Sequence, residues 1–255
     1  MSFTNSSMVS IAKSSPNYTK PRKYLIRKIT IHHTGGILSI EALGNWFSKK
    51  TTKASSNYGI GGDGRVALYV EEKNRAWTSS SPENDHQAVT YEVCNSTEAP
   101  YWKVSDKALE TIIALSVDVC LRNPEIKQIN GKRGLSWTGN DKGSLTIHKF
   151  FTNTNCPGPY LESKMAWIAE EVNKRLAIAF DEKQPEQNNQ NGSILKEEGL
   201  EMTYNYIDNN MPEWARPTIQ KLVDKGLLKG NKKGELGLND TMLKIFVIND
   251  RAGLY

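Results

Sequence analysis

The sequence predicts an α/β protein with a central β-sheet flanked by helices, followed by a small, mainly helical C-terminal module. Two observations predict this division. Strand and helix patterns alternate over about the first 180 residues, and residues 183–193 then contain no apolar side chain. Such a stretch cannot bury surface that offsets its ordering entropy. We therefore predict a domain at 1–180, a flexible polar linker at 181–200 and a module at 201–255.

Four segments of the first domain have the composition of strands. The first is rich in Ile and Thr and alternates between polar and apolar residues from Lys28 onward. The second follows an Asp63-Gly64 turn signal. The predicted strands cover residues 24–33, 65–70, 88–94 and 144–148.

Three segments of the same domain have the 3.6-residue periodicity of amphipathic helices. Ser39 and Ser105 are suitable N-caps for the first two, because a serine hydroxyl accepts hydrogen bonds from the free N–H groups of a first helical turn. The first helix is predicted to run to Lys49 with Ile40, Leu43, Trp46 and Phe47 facing inward. The inward residues of the second are Leu109, Ile112, Ile113, Ser116 and Cys120. The third covers residues 161–176, with Met165, Ile168, Val172 and Leu176 facing inward.

Composition excludes several classes of protein. The chain has no run of 18 apolar residues, so no membrane insertion is expected. Its polar N-terminus lacks the apolar core of a signal peptide, which predicts synthesis in the cytoplasm. Three widely spaced cysteines do not form a disulfide framework.

The charge is concentrated in the first domain. Residues 1–180 contain 23 Lys and Arg against 16 Asp and Glu, whereas residues 181–255 contain 10 against 12. A basic domain favours an anionic partner such as a nucleic acid, a membrane surface or an acidic polymer. No arginine-rich helix or nucleic-acid motif is present, so charge alone does not select among them.

Strand alternation brings three chemically active residues together. Successive strand side chains point to opposite faces, so His32 shares a face with Thr30, and Glu92 shares a face with Thr90. His148 is on the polar face of the last strand by the same rule. If the strands are neighbours, these polar faces converge on the open side of one sheet, while helices cover the apolar side.

Cys156 follows His148 by eight residues in a Pro- and Gly-rich segment that can return its sulfur toward the strand end. Two imidazoles and one thiolate suit Zn²⁺, and three protein ligands leave a fourth position open. The alternative is two hydrogen-bonded sheet histidines and a small buried cysteine. We assign structural roles to the remaining cysteines and to His33, whose parity matches the apolar face, and a surface or rim position to His86.

Five separated motifs in one order resemble the zinc N-acetylmuramoyl-L-alanine amidases of the peptidoglycan recognition protein superfamily, and in particular endolysins of clostridial phages and prophages. The resemblance covers about residues 20–178 and implies a mixed central β-sheet flanked by helices. The motifs are Ile31–Gly35, Ser56–Val66, Arg75–Trp77, Glu92–Val93 and His148–Gly158.

The resemblance implies hydrolysis of the amide between N-acetylmuramic acid and L-alanine in peptidoglycan. It implies that a zinc ion is held by His32, His148 and Cys156. Glu92 is then the general base, and Tyr58 and Thr154 donate hydrogen bonds to the oxyanion. Some members carry a catalytic lysine where this chain has Thr154.

The expected partners are peptidoglycan and the anionic polymers of Gram-positive walls, with no nucleic acid. The missing signal peptide fits an endolysin that waits in the cytoplasm for release through a holin. A peptidoglycan-binding recognition protein without catalysis is the main alternative. A nucleic-acid-binding protein leaves His32, His148 and Cys156 unexplained.

The C-terminal module resembles the short terminal modules of clostridial amidases. One helix is predicted with Ile219, Leu222 and Val223 inward and Gly226 as its stop, and a second is capped by Asn239. The small core favours self-association, and Trp214 is either a wall-binding residue or a core anchor. The purine-rich codons of residues 196–199 resemble a ribosome-binding site, so internal initiation at Met202 is predicted to yield a separate module. The predicted inward residues of the second helix are Met242, Leu243, Phe246 and Val247.

Overall fold

The computed structural model of the chain describes residues 3–181, 203–208, 211–231, 234–251 and 255. The chain divides into two compact units, Met1–Glu186 and Gln187–Tyr255. Apart from Asp181, the predicted linker lies outside the described residues, as do residues 196–199 and Met202. The predictions made for those positions therefore stay predictions.

A six-stranded mixed sheet forms the centre of the first unit. Four of its strand pairings are parallel and one is antiparallel. Its strands are β1 (Val9–Ala12), β3 (Lys28–His33), β4 (Tyr58–Ile60), β5 (Val66–Leu68), β7 (Ala88–Val93) and β8 (Leu145–Ile147). They lie in the order β1-β5-β4-β7-β3-β8, and a separate antiparallel pair consists of β2 (Tyr18–Thr19) and β6 (Arg75–Ala76).

The three predicted helices of this unit are present, with one short helix in addition. Ser39 accepts a hydrogen bond from the backbone N–H of Ala42, and Ser105 does the same for Ala108, as predicted for caps. No helix of the described residues is both long and apolar enough to cross a membrane. The helices are α1 (Ile40–Phe47), α2 (Pro82–Gln87), α3 (Asp106–Arg122) and α4 (Gly158–Asp181).

The main core lies between one face of the sheet and the helix pair α3 and α4. Alternate residues of the central strands, such as Ile29 and Ile31, are fully buried against these helices. The inward faces predicted for α3 and α4 are buried in full, because both helices cover the apolar side of the sheet. The predicted α/β architecture is confirmed.

The opposite face of the sheet is less open than predicted. Thr30, Thr90 and Thr146 form a buried polar row across three neighbouring strands, with 2.9 Å between the hydroxyls of Thr30 and Thr146. The Asn84 amide of α2 donates to the Thr30 hydroxyl at 3.0 Å. Helix α2 therefore covers part of the polar face, which was predicted to be open to solvent.

The predicted positions of the Trp46 and His86 side chains are wrong. Trp46 is 51% exposed, whereas the remaining predicted inward residues of α1 are buried. His86 is buried, because α2 carries it inward and its Nδ1 accepts a hydrogen bond from the backbone N–H of Lys23 at 3.1 Å. The polar residues around His86 in the sequence therefore did not predict its position correctly.

The second unit contains α5 (Arg216–Asp224) and α6 (Asp240–Arg251). Gly226 follows α5 with φ +69°, and the Asn239 side chain accepts a hydrogen bond from the backbone N–H of Met242, as predicted for a stop and a cap. Met242 is exposed rather than inward, and Trp214 is 45% exposed, which excludes a role as core anchor. The buried cluster consists of Tyr204, Met211, Ala215, Ile219, Leu222, Leu238, Leu243 and Val247.

Candidate metal centre and cleft

Strands β3 and β7 place the first two predicted site residues side by side. The strands are parallel and in register, so His32 lies directly opposite Glu92 and His33 opposite Val93. Because side chains alternate along each strand, His32 and Glu92 emerge on the polar face and turn away from the α3–α4 core. The predicted convergence of these two residues is confirmed.

His148 reaches the same place from just beyond β8. It begins a short 3₁₀ turn, His148–Phe150, rather than ending the strand, yet its ring centroid lies 4.6 Å from that of His32. The chain then loops back, closed by a hydrogen bond of 3.1 Å from the Lys149 N–H to the Cys156 carbonyl. This loop brings the Cys156 sulfur to 3.4 Å from the backbone nitrogen of His33, which donates to it.

The three predicted metal ligands form one cluster. His32, His148 and Cys156 each offer a ligand atom, and these atoms all lie within 4.8 Å of one another. The Nε2 atoms of both histidines are buried and have no hydrogen-bond partner among the described residues. Buried polar atoms are almost always paired, so two such nitrogens beside a sulfur fit a bound cation. This nitrogen and sulfur donor set suits Zn²⁺.

Burial controls the protonation of the cluster. It lowers the pKa of His32 well below its usual range, with smaller contributions from His148 and His33. It also raises the pKa of the Cys156 thiol, and the neighbouring Glu92 raises it further. The imidazoles are consequently neutral and able to bind a cation, and a metal must displace the thiol proton when it binds.

Glu92 and Thr154 have free capacity for hydrogen bonds next to this cluster. The Glu92 carboxylate accepts no hydrogen bond from the described residues, and burial raises its pKa to about 8. The Thr154 hydroxyl accepts from the Cys156 N–H at 3.2 Å, which leaves its own proton available to a ligand. Both residues line the same cleft as the candidate metal ligands.

The structure contradicts the catalytic role predicted for Tyr58. In the β4–β7 pairing Tyr58 lies opposite Tyr91, which faces the core, and Gly59 lies opposite Glu92. The Tyr58 hydroxyl is fully buried and donates to Glu72 at 2.6 Å, while accepting from the backbone N–H of Ser6. Tyr58 is therefore on the other side of the sheet from the cluster and cannot contact a substrate there.

Three tryptophans that were not predicted to belong to the site line this cleft. Trp46 was hidden by its helical spacing, which suggested a core residue. Trp77 belongs to the Arg75–Trp77 motif, and its indole nitrogen donates to the Thr19 hydroxyl at 2.9 Å. Trp102 has φ +43°, an uncommon conformation for a bulky residue, and no signal in the sequence marks it.

His33 is buried at the side of the cleft and is not part of the main apolar core. Its ring packs edge-on against Trp102, with 5.4 Å between ring centroids. Gly158 lies beneath it at φ +83°, where an added Cβ would approach the His33 ring to 3.1 Å. Glycine is required at this position by both its conformation and the close approach.

The family model for N-acetylmuramoyl-L-alanine amidase, Amidase_2, matches residues 21–159, more than half of the chain. This chain belongs to that family. The match includes every residue of the candidate cluster and confirms the predicted family resemblance. No curated protein sequence matches the chain.

A solved structure of PlyL supports the fold, and two further solved structures are similar to this chain at lower TM-scores. A mutant structure of PlyL superposes with a TM-score of 0.50 at 12% identity, covering 64% of this chain and 97% of that one. A mutant endolysin from Bacillus subtilis has a TM-score of 0.48 at 15% identity, with coverages of 64% and 97%. The amidase LysCS from Clostridium intestinale has a TM-score of 0.40 at 16% identity, with coverages of 66% and 97%.

Proposed function

We propose that this member of the amidase family is a zinc-dependent peptidoglycan hydrolase that cleaves the amide between N-acetylmuramic acid and L-alanine. One observation carries the zinc assignment: a ring nitrogen from each of two histidines and a cysteine sulfur lie within 4.8 Å of one another. His32, His148 and Cys156 would hold the ion. Family membership supports the choice of substrate and bond.

The residues of the chain divide the chemistry among them. When bound, zinc lowers the pKa of a water to about 7 and polarises the scissile carbonyl. Beside a bound cation Glu92 is ionised despite its burial. Its carboxylate takes a proton from the attacking water and delivers it to the nitrogen of the leaving L-alanine. The Thr154 hydroxyl donates a hydrogen bond to the oxyanion that develops at the carbonyl oxygen when the water attacks the carbonyl carbon.

The proposed target is a Gram-positive, clostridial wall, reached after release through a holin. The excess of Lys and Arg in residues 1–180 supports adsorption to anionic wall polymers. For the C-terminal unit we propose wall binding, supported by the exposed Trp214 indole. Self-association of this unit, including with a separate module initiated at Met202, is a compatible proposal.

Purified protein and purified clostridial walls test the proposed function directly. We expect one zinc ion per chain, loss of wall turbidity, and new amino termini that are exclusively L-alanine. Chelation should remove the activity, and added zinc should restore it. Zinc binding with no wall cleavage would instead support the alternative, a non-catalytic peptidoglycan-binding protein, and no zinc at all would refute the metal site.

Replacement of Glu92 with glutamine should lower wall hydrolysis by about 100-fold or more while zinc is retained, because the amide cannot accept the proton of the water. The measurement is the initial rate of L-alanine amino-terminus release at equal zinc content. Glu98→Gln is the matched control, since it removes the same charge from an exposed residue that does not line the cleft. Near-normal turnover in Glu92→Gln would refute the role as base.

A further inference from the structure

The cleft continues past the candidate metal centre into a second depression, here called the basic basin. The two share Ala54, Trp77 and Thr78 as a common wall. The wall is fixed, because Trp77 donates from its indole to Thr19 and from its backbone to Ser55. The remaining lining residues of the basic basin are Lys53, Arg75, Ser80, Pro82 and Asp85.

The Arg75 side chain lines the basic basin and forms no hydrogen bond or ion pair with the described residues. Its Nε atom is buried and has no hydrogen-bond partner, and its guanidinium forms no ion pair with any described residue. Only Nε is fully buried, so the two outer nitrogens stay accessible. A half-buried guanidinium with unused donors fits a ligand that carries a planar anion, since carboxylates accept two parallel hydrogen bonds from arginine.

The one acid of the basic basin, Asp85, interacts electrostatically with Arg75. The two side chains nevertheless form no ion pair. Asp85 is buried, and its carboxylate accepts hydrogen bonds from the backbone N–H groups of Thr78 and Ser79 at 3.0 and 3.2 Å. Lys53 adds a second cation that has no ion pair within the described part of the chain. Lys53 and Arg75 carry two positive charges and Asp85 carries one negative charge, so the basin has a net positive charge.

The backbone around the cleft and the basin is held in uncommon conformations. Among the described residues, positive φ in a non-glycine residue occurs at Lys53, Ser80 and Trp102. The first two line the basic basin, and the third lines the cleft. Such conformations are energetically unfavourable for residues other than glycine and cluster at ligand-binding sites.

We propose that the basic basin binds a free carboxylate of the peptide stem, with Arg75 as the residue that determines specificity and Lys53 assisting. This rests on the proposed function, because the peptide that begins at L-alanine then extends from the reacting amide along the shared wall. Stem residues beyond L-alanine carry carboxylates that some walls convert to carboxamides. The enzyme therefore distinguishes free from amidated stems.

Two synthetic ligands test this proposal: N-acetylmuramyl tripeptides with all stem carboxylates free or all converted to carboxamides. Equilibrium binding is measured by calorimetry in a Glu92→Gln background, and wall hydrolysis by the wild type is measured in parallel. We expect the free acid to bind about 10- to 100-fold more tightly, as for a charge-assisted pair. Arg75→Gln should remove this preference by weakening acid binding alone.

Lys73→Gln is the matched control, because Lys73 lies two residues from Arg75, is exposed, and pairs with Glu71 outside the basin. This variant should keep the preference. Equal binding of both ligands by the parent protein, or an unchanged preference in Arg75→Gln, would overturn the proposal. A preference that is also lost in Lys73→Gln would overturn it too, by indicating general electrostatic attraction. Failure of the wild type to cleave walls would refute the proposed function, while the binding comparison still decides the role of Arg75.

Discussion

Replacement of Cys156 with serine is expected to abolish both zinc binding and wall hydrolysis. A serine hydroxyl is a poor zinc ligand, so two imidazoles would be left to hold the ion. Without the ion, no water in the cleft has a pKa near neutrality, and we expect the rate to fall by more than about 1,000-fold. Zinc per chain by mass spectrometry and turbidity loss on purified walls measure the two effects.

Cys94→Ser is the matched control for this replacement. Cys94 is also a free, buried cysteine, but it packs in the cluster around α1 and is not among the grouped metal ligands. This variant should retain one zinc ion per chain and wall hydrolysis. Full zinc occupancy in Cys156→Ser would contradict the ligand assignment, and equal losses in both variants would indicate general destabilisation.

Replacement of Arg122 with methionine is expected to lower the free energy of unfolding by about 3–5 kcal/mol, because it leaves a buried charge uncompensated. The Glu72 carboxylate is 1% exposed and pairs with the Arg122 guanidinium through two hydrogen bonds of 2.8 and 2.9 Å. It also accepts from the hydroxyl of Tyr58. Urea unfolding followed by tryptophan fluorescence measures the change.

Two further variants separate this cause from others. Arg175→Met removes an exposed pair with Glu110, so the expected loss is about 0–1 kcal/mol. Adding Glu72→Gln to Arg122→Met should recover part of the lost free energy of unfolding. The substitution removes the buried charge, and the amide oxygen of the new side chain can still accept the hydrogen bond from the Tyr58 hydroxyl. Equal losses for Arg122→Met and Arg175→Met, or no recovery in the double variant, would contradict the buried-charge explanation.

The central part of the candidate site was predictable because side-chain alternation in a strand follows from covalent geometry. The alternation of polar and apolar residues in two strands was enough to place His32 and Glu92 on the same face of the sheet. The parallel register of the two strands then brings them side by side. The return of Cys156 could be expected from the Pro- and Gly-rich segment after His148. The fold class followed from alternating strand and helix patterns for the same reason.

The predictions failed where the local sequence does not indicate which way a side chain points. All three residues of β4 are buried, so no polar alternation marks which face Tyr58 occupies, and family resemblance alone assigned it to the cleft. Trp46 has the spacing of a core residue but lies over the cleft, where α1 has no second layer to pack against. Trp102 depends on a loop conformation that only the folded chain defines. The position of Arg75 depends on the pairing of the two-residue strands β2 and β6.

The candidate zinc ligands are separated along the chain in a way that affects when the enzyme first becomes active. His32 and His148 are more than one hundred residues apart, and they meet only through the pairing of β3 with β8. Closing so long a loop costs entropy that only the assembled sheet can offset. A nascent or partly degraded chain thus has no complete metal site, so hydrolytic activity is expected only once the first unit has finished folding.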